Sequence, residues 1–355
     1  MNWRSGRPPG VRTALWVARE CFGLPAARGE LMAQGATANG MAVVGDVRDP
    51  RRWVLRNHHR DPRLDRVRFL ADFADDARRV GVPFAPVLRD LDGHGAVAVG
   101  GQVWTATGFV AGRSCSAEPS DLSAAGTALA ALHRHALTGD IRPVPGDLAW
   151  NAWLDFPDSM WAAVTDLTGI ADRPVLARYR PHVAALGEYL ANRPVDRDRL
   201  PEAWTHGDFH GGNLLVHGPR MAAIVDLDGV DRRPRIWDVA YACLMLGRHG
   251  PGDYRLRPDA LATLLAAYRN MAAPLGLAEL HALWPCMVAS QLPDPRHLHA
   301  LRRAGRPIMQ ALHRPLAALA VLTDPARAEL LNGLLGELLN AATARHADRI
   351  EGRTA

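Results

Sequence analysis

The amino-terminal third of the chain alternates β-rich runs with one helical pattern. Residues 40–45 and 52–57 are β-rich and are separated by Asp, Arg and Pro residues, which is typical of a hairpin. Apolar residues then recur at helical spacing over 67–80, and two further strands are predicted at 96–99 and 102–110. Together these patterns predict a small lobe of antiparallel sheet with one helix.

The rest of the chain has mainly helical patterns. Residues 108–114 are predicted to form a linker, and from Asp121 onward leucine and alanine residues form one helical stripe. A short hairpin is predicted for 214–216 and 222–225, and residues 237–347 are predicted to be mainly helical. We therefore predict an α+β fold with a smaller sheet lobe and a larger, mainly helical lobe.

Length and hydrophobic content support two lobes. A chain of 355 residues, 48% of them hydrophobic, is long for one small core and short for three domains. We place the two lobes at residues 1–111 and 112–355. No uninterrupted apolar run reaches about eighteen residues, and Arg19 and Glu20 interrupt the apolar segment 14–24. We therefore expect a cytoplasmic protein with no membrane partner.

Composition narrows the chemistry further. Four widely spaced cysteines without a CxxC pair argue against a zinc site and against a disulfide framework. The net charge is +5, but the basic residues are spread along the chain and interleaved with acidic ones, so we expect no nucleic-acid partner. The chain contains no lysine, so every cationic contact must come from arginine, histidine or the amino terminus. A mechanism that requires a lysine is therefore excluded.

Three oxygen-bearing side chains are predicted at turns that can bring them together. Asp208 lies in a loop, Asn213 begins the predicted hairpin, and Asp226 follows its return strand. Magnesium prefers oxygen ligands and usually takes one or two of them from the protein, so Asn213 and Asp226 suffice. Asp208 is then available as a base that positions an attacking hydroxyl and accepts its proton.

The strings WTHGDFHGGNLLV and AAIVDLDG resemble the aminoglycoside phosphotransferase, choline kinase and homoserine kinase superfamily. Its catalytic loop reads HGDxHxxN, and its metal-binding segment is an apolar pair followed by Asp. The matching residues here are His206, Gly207, Asp208, His210 and Asn213, then Ile224, Val225 and Asp226. The resemblance covers most of the chain, with high specificity only over 204–242.

This resemblance implies a protein kinase-like bilobal fold and the use of ATP, or GTP, with Mg²⁺. It also implies that Asp208 is the catalytic base, that Asn213 and Asp226 bind the metal, and that Asp238 braces the catalytic loop. His206 and His210 are interpreted as structural support for the loop rather than as catalysts.

The small lobe departs from the family pattern. The family resembles protein kinases in using a strand lysine, held by a helix glutamate, against the nucleotide phosphates. The segment WVLRN offers Arg56 instead, which can grip phosphate bidentately or can be an ordinary edge-strand arginine. The following helix offers Asp72, Asp75 and Asp76 as acid partners, of which we favour Asp72. The predicted phosphate-covering loop QGATANG contributes Gly35, Asn39 and Gly40, because its glycines let backbone amides approach an anion.

Other interpretations of these residues stay open. Asp208, Asn213 and Asp226 could be two turn residues and a strand-end carboxylate, and Asp228 could join a second metal site or cap a turn. The string DFHGGN also contains the Asp-x-His start of a dinuclear metallophosphoesterase. That class needs further ligands downstream, whereas the only GDxxD-like match, 45–49, lies upstream.

The most specific hypothesis is a kinase that moves the γ-phosphate to a hydroxyl of a small molecule, such as an antibiotic, an amino alcohol or a natural-product intermediate. An acceptor rich in amines would need carboxylates, and the candidates, which can equally be helix caps, are Asp147, Asp155, Asp158 and Asp166. The alternatives are a kinase for a peptide Ser or Thr hydroxyl and a nucleotide-binding, pseudokinase-like scaffold. The absence of lysine favours the scaffold, and the complete Asp208, Asn213 and Asp226 set argues against it.

Overall fold

The computed structural model describes the greater part of the chain. The described residues are 10–32, 40–46, 48, 50–58, 63–138, 152–155, 157–167, 173–295, 298, 302, 308–324 and 333. They belong to two compact units. The first is drawn from Met1–Ser114, Thr138–Asp147 and Gly212–Val230, and the second from Cys115–Leu137, Leu148–Gly211 and Asp231–Ala355.

The strands, in chain order, are β1 (Arg28–Leu31), β2 (Gly40–Gly45), β3 (Arg52–Asn57), β4 (Val87–Leu88), β5 (Val97–Val99), β6 (Gln102–Gly108), β7 (Arg113–Ser114), β8 (Glu202–Thr205), β9 (Leu214–His217), β10 (Arg220–Ile224), β11 (Asp231–Pro234), β12 (Arg248–Gly250) and β13 (Asp253–Leu256). The α-helices are α1 (Val11–Glu20), α2 (Leu64–Arg79), α3 (Pro119–Thr138), α4 (Ala152–Asp155), α5 (Pro157–Leu167), α6 (Arg173–Ala177), α7 (Arg180–Asn192), α8 (Ile236–Gly247), α9 (Pro258–Met271), α10 (Leu277–Gln291) and α11 (Ile308–Leu322).

The first unit is built on an antiparallel sheet. Its order is β1-β2-β3-β6-β4, with β5 paired to β6. The predicted hairpin is confirmed, because β2 pairs with β3 from Gly40 opposite Asn57 to Gly45 opposite Arg52. Alternate residues of β3 are buried, as expected for a strand with one face on a core. That core is formed by buried residues of α1, β2, β3 and β6, including Val17, Ala18, Val44, Leu55, Trp104 and Ala106.

Helix α2 lies where the apolar spacing predicts it. Its buried stripe includes Val67, Leu70, Phe73 and Ala77, which recur every three or four residues. The Phe73 ring packs on Phe84, with ring centroids 5.9 Å apart. The stripe therefore fixes which side of the helix faces the unit's interior.

A second sheet of the first unit holds the predicted hairpin of 214–216 and 222–225. Its order is β10-β9-β7, so the predicted linker contains a short strand. Ile224 forms a parallel bridge with Phe84, and its backbone N–H donates to the Pro83 carbonyl at 2.6 Å. These contacts explain why 212–230 groups with the first unit, although the sequence placed this segment in the second lobe.

The second unit is mainly helical. Helix α8 packs on α10, and both are buried along most of their length. Arg235, at the start of α8, donates to both Glu279 oxygens of α10 at 2.7 and 2.8 Å, and both side chains are buried. Strands β8 and β11 pair from Thr205 opposite Asp231 to Glu202 opposite Pro234. The predicted α+β class, with a sheet lobe and a helical lobe, is confirmed. Among the helices of the described residues, none combines the length and apolarity that a membrane span requires.

Candidate active site

A cavity of about 370 Å³ lies within the first unit. Most of its wall is apolar and comes from β3, α2, residues 84–87, β6 and the hairpin β9–β10, including Val54, Leu70, Phe84, Val87, Leu215 and Ile224. Its polar lining includes Arg56, Asn213, Asp226 and Asp228, together with His58, Thr105 and Thr107. A volume of this size with apolar walls and a few convergent polar groups is typical of small-molecule sites.

Asp226 has an unusual backbone conformation. Its φ of 66° makes it the one non-glycine residue with positive φ among the described residues. Such a conformation costs of order 1–3 kcal/mol and is retained where the surroundings enforce it. The Val225 N–H donates to the Asn213 carbonyl at 2.9 Å, and the Asp228 N–H approaches Asp226 Oδ1 at 3.5 Å. The fold therefore fixes Asp226 close to Asn213, where the hairpin β9–β10 begins and ends.

Arg56 connects strand β3 to the turn that contains Asp226 and Asp228. Its Nη2 donates to Asp226 Oδ1 at 2.8 Å and to Asp228 Oδ2 at 2.6 Å, and only 15% of the side chain is exposed. Burial acts to lower the pKa of Arg56, but the charges of Asp228 and Asp226 outweigh it, so the pKa is raised. His58 Nδ1 lies 3.5 Å from the other Asp228 oxygen. The guanidinium thus neutralises two carboxylates that would otherwise repel each other.

The prediction that Asp72 pairs with Arg56 is wrong. Asp72 and Asp75 both accept hydrogen bonds from Arg89, whereas Arg56 pairs with Asp226 and Asp228. The residue of α2 that contacts the backbone after Asp226 is an arginine, Arg66, and not one of the predicted acids. Arg66 is buried, and its Nη2 donates to the carbonyls of Asp228 at 3.1 Å and Val230 at 3.2 Å. Arg66 therefore holds the backbone just after Asp226, a role that the sequence alone did not indicate.

The predicted phosphate-covering loop is only partly within the described residues. Gly40 is buried at the start of β2 and pairs with Asn57. Gly35 and Asn39 lie outside the described residues. Their assignment to nucleotide binding therefore stays a prediction.

The catalytic loop belongs to the second unit and begins where β8 ends. The loop turns at Gly207, whose φ of 75° favours glycine. Asp238 accepts hydrogen bonds from the backbone N–H groups of His206 at 2.5 Å and of Gly207 at 2.8 Å. His133 Nε2 lies 3.4 Å from Asp238 Oδ2, and His133 Nδ1 lies 2.8 Å from the Tyr268 hydroxyl. A buried network therefore links α3, α8 and α9 to the loop.

Burial acts to raise the pKa of Asp238. The hydrogen bond and charge of His133, the charge of His206 and the Gly207 amide outweigh burial, so the pKa is lowered and Asp238 stays ionised. An ionised buried carboxylate needs these donors, because a buried charge without partners is strongly destabilising. Asp238 and the loop backbone therefore depend on each other.

Asp208 contacts Tyr241, His210 and His206 within the second unit. The Tyr241 hydroxyl donates to Asp208 Oδ1 at 2.9 Å, His210 Nε2 lies 3.4 Å from Oδ2, and the Asp208 N–H donates to His206 Nδ1 at 3.3 Å. Burial acts to raise the pKa of Asp208, but His210, Tyr241 and His206 lower it below 3.8. The carboxylate is therefore ionised at neutral pH, and 43% of its side chain is exposed.

The structure thus brings Arg56, Asn213, Asp226 and Asp228 to one cavity of the first unit and supports Asp208 within the second. The oxygens of Asn213, Asp226 and Asp228 are the ligands that a hard cation prefers, so this set fits Mg²⁺. Sequence reasoning did not single out Arg66 or Tyr241. Tyr241 could have been found from its helical spacing, three residues after Asp238, whereas nothing in the sequence marks Arg66 as buried.

A family model described as the phosphotransferase enzyme family matches residues 33–283. The chain therefore belongs to this family. The predicted superfamily and the predicted enzyme class, a phosphotransferase with an alcohol group as acceptor, are confirmed. The metallophosphoesterase interpretation is correspondingly excluded. No curated protein sequence is similar enough to this chain to count as a match.

Solved structures share the fold at low sequence identity. An aminoglycoside phosphotransferase from Alicyclobacillus acidocaldarius is 17% identical, with a TM-score of 0.64 over 96% of this chain and 98% of its own. An amicoumacin kinase in complex with AMP-PNP, Ca²⁺ and a ligand named Ami is 14% identical, with a TM-score of 0.63 over 90% of this chain and 93% of its own. A microcompartment-associated aminopropanol kinase is 17% identical, with a TM-score of 0.62 over 91% and 98%. These likenesses confirm the protein kinase-like fold.

Proposed function

We propose that the protein is an ATP- and Mg²⁺-dependent kinase that transfers the γ-phosphate to a hydroxyl of a small molecule. The observation that carries this proposal is the cavity of the first unit, where Arg56, Asn213 and Asp226 meet an apolar wall. Apolar walls suit a nucleobase, and cationic and metal-binding groups suit a triphosphate. The AMP-PNP in the amicoumacin kinase structure supports a nucleotide of this kind.

Asn213, Asp226 and Arg56 of the cavity have roles in this proposal, as does Arg66 of α2. Asn213 and Asp226 hold Mg²⁺, which when bound neutralises phosphate charge as the γ-phosphoryl group is transferred. Arg56 contacts the phosphates, because its guanidinium is the cation that the fold places beside the two carboxylates. Arg66 keeps the backbone that follows Asp226 in place.

Asp208 acts as the base. It orients the acceptor hydroxyl and takes its proton while the new oxygen–phosphorus bond forms and the bond to the departing nucleoside diphosphate breaks. Its ionised state and its exposed fraction support this role. His206 and His210 support the loop, and Asp238 braces its backbone.

The acceptor is proposed to be a small molecule because the similar solved structures include an amicoumacin kinase and an aminopropanol kinase. Of the carboxylates predicted for an amine-rich acceptor, Asp158 and Asp166 lie exposed on α5. Asp147 lies outside the described residues, as does the side chain of Asp155. These four residues therefore stay predictions.

A screen of hydroxyl compounds tests the proposal. ATP consumption is measured with each compound, and mass spectrometry looks for one added phosphate. The matched control is Asp208→Asn, which should lower turnover by about two to four orders of magnitude while nucleotide binding stays nearly unchanged in calorimetry. Comparable turnover in this variant would contradict the mechanism. Nucleotide binding without transfer to any compound or peptide would favour the scaffold hypothesis.

A further inference from the structure

Tyr241 contacts the side chain that the proposed mechanism needs to hold still. Its hydroxyl lies 2.9 Å from Asp208 Oδ1, within the second unit. The other oxygen, Oδ2, has His210 Nε2 at 3.4 Å, a longer contact. The tyrosine contact is therefore the shorter of these two restraints on the carboxylate plane.

One face of α8 reaches both the backbone and the side chain of the loop. Asp238 and Tyr241 are three residues apart on this helix, so their side chains project from the same face. Asp238 accepts hydrogen bonds from the His206 and Gly207 backbone, and Tyr241 donates to the Asp208 carboxylate. The position of α8 therefore sets the loop path and the orientation of Asp208 together.

The Tyr241 hydroxyl is suited to keep its own proton and to donate a hydrogen bond to Asp208. Burial raises the pKa of Tyr241 well above its usual value of 10.0, and the charge of Asp208 raises it further. Tyr241 therefore keeps its proton at neutral pH, where Asp208 is ionised. Because the hydrogen bond engages one oxygen, it fixes the rotation of a carboxylate whose terminal torsion is otherwise broad.

We propose that Tyr241 is a positioning residue that orients Asp208 for proton acceptance from the acceptor hydroxyl. This inference rests on the proposed function, in which Asp208 is the base. Orientation matters because a small misplacement of a reacting group lowers the rate without preventing binding.

Tyr241→Phe removes the hydroxyl and keeps the ring. We expect kcat to fall about tenfold, while KM for ATP and for the acceptor stays within about twofold, because the hydrogen bond restrains the base and does not hold substrate. Tyr254→Phe is the matched control: this tyrosine of β13 lies near Tyr241 and has no hydrogen bond to Asp208 among the described contacts. Its kinetic constants should match those of the parent.

A double-mutant cycle separates positioning from a general structural effect. In the Asp208→Asn background, Tyr241→Phe should cause no further loss, because the residue that it orients no longer acts as a base. An equal loss in both backgrounds, or a parental kcat in Tyr241→Phe, would overturn the inference. If Tyr241→Phe fails to fold, Tyr241→Met takes its place in the same cycle. If Asp208→Asn itself keeps its turnover, the proposed function fails instead.

Discussion

Arg56 of β3 lies where the family resemblance leads us to expect a lysine, and its contacts differ from those that the sequence suggested. One guanidinium nitrogen donates to both Asp226 and Asp228. The sequence identified Arg56 from its place in the strand, but it suggested an acid partner on α2. The actual partners lie 170 and 172 residues further along the chain, and no local pattern encodes such a pairing. Arg56 therefore neutralises the carboxylates of Asp226 and Asp228.

Arg56→Ala should weaken ATP binding and leave AMP binding nearly unchanged. The expected loss is about 1.5–3 kcal/mol, as for a hydrogen bond to a charged group, because the terminal phosphates lose their cationic partner. Arg56→Lys should also lower turnover, since an ammonium on a flexible stem does not reproduce the planar fork. Calorimetry with ATP and AMP, followed by turnover assays, measures both effects.

The control for Arg56 is Arg28→Ala, which removes an exposed arginine from β1 of the same sheet. Its ATP affinity should equal that of the parent. If Arg56→Ala binds and turns over ATP like the parent, Arg56 has no role in phosphate binding. If Arg56→Lys gains turnover, the arginine site is degenerate rather than adapted.

At the scale of elements, local sequence patterns predicted the hairpins and the helix of the first unit, but they did not predict strand pairs between distant parts of the chain. The hairpin β2–β3, helix α2 and the hairpin β9–β10 each follow from periodicity and turn residues within a short window. Strands β8 and β11 pair across more than twenty residues, and the buried residues of β8 are consecutive rather than alternating. Nothing local marks such a pair.

The amphipathic helix α1 and the hairpin β12–β13 were also missed. Helix α1 buries Ala14, Val17 and Ala18, but in the sequence Arg19 and Glu20, which are exposed at its end, only marked a break in an apolar segment. The acidic residues 72, 75 and 76 of α2 share one face by their spacing, but this spacing does not say which cation that face meets. Only the structure shows that Arg66 donates to the backbone carbonyls of Asp228 and Val230 and that Asp72 pairs with Arg89.

Asp238→Asn tests how α8 braces the catalytic loop. At neutral pH the variant should be less stable by about 1–3 kcal/mol. The asparagine amide has one accepting oxygen, so either the His206 or the Gly207 N–H group loses its hydrogen-bond acceptor. The pKa of Asp238 lies below its usual 3.8, so the parent keeps this contribution above about pH 3.8 and loses it as the pH falls through the lowered value. Urea unfolding at several pH values measures the difference.

The difference in stability between parent and Asp238→Asn should therefore be largest at neutral pH and narrow below about pH 3.8. Asp196→Asn is the control, since this exposed carboxylate pairs with the exposed Arg199 at the surface and should leave unfolding unchanged. A difference that is constant from pH 7 to pH 3 would show that the carboxylate charge is not the source of the stability.

At the scale of the whole molecule, low sequence identity coexists with an intact fold. The aminoglycoside phosphotransferase that is 17% identical still superimposes with a TM-score of 0.64. Motif residues therefore carried most of the sequence prediction, since Asp208, Asn213 and Asp226 stand in a short, ordered string. The partition of that string between two compact units was not predictable, because it depends on the distant contact of Ile224 with Phe84.

Because the lining of the cavity belongs entirely to the first unit, nucleotide binding should protect that unit first. With Mg²⁺ and a non-hydrolysable ATP analogue at about 100 times the dissociation constant, amide exchange by local opening should slow by up to about 100-fold in 40–57, 102–110 and 212–228. Short-time hydrogen exchange with mass spectrometry measures this, because early exchange reports local rather than global opening. Asp226→Ala should lose the protection together with the metal. Early protection spread evenly over both units would mean that the nucleotide does not bind in this cavity.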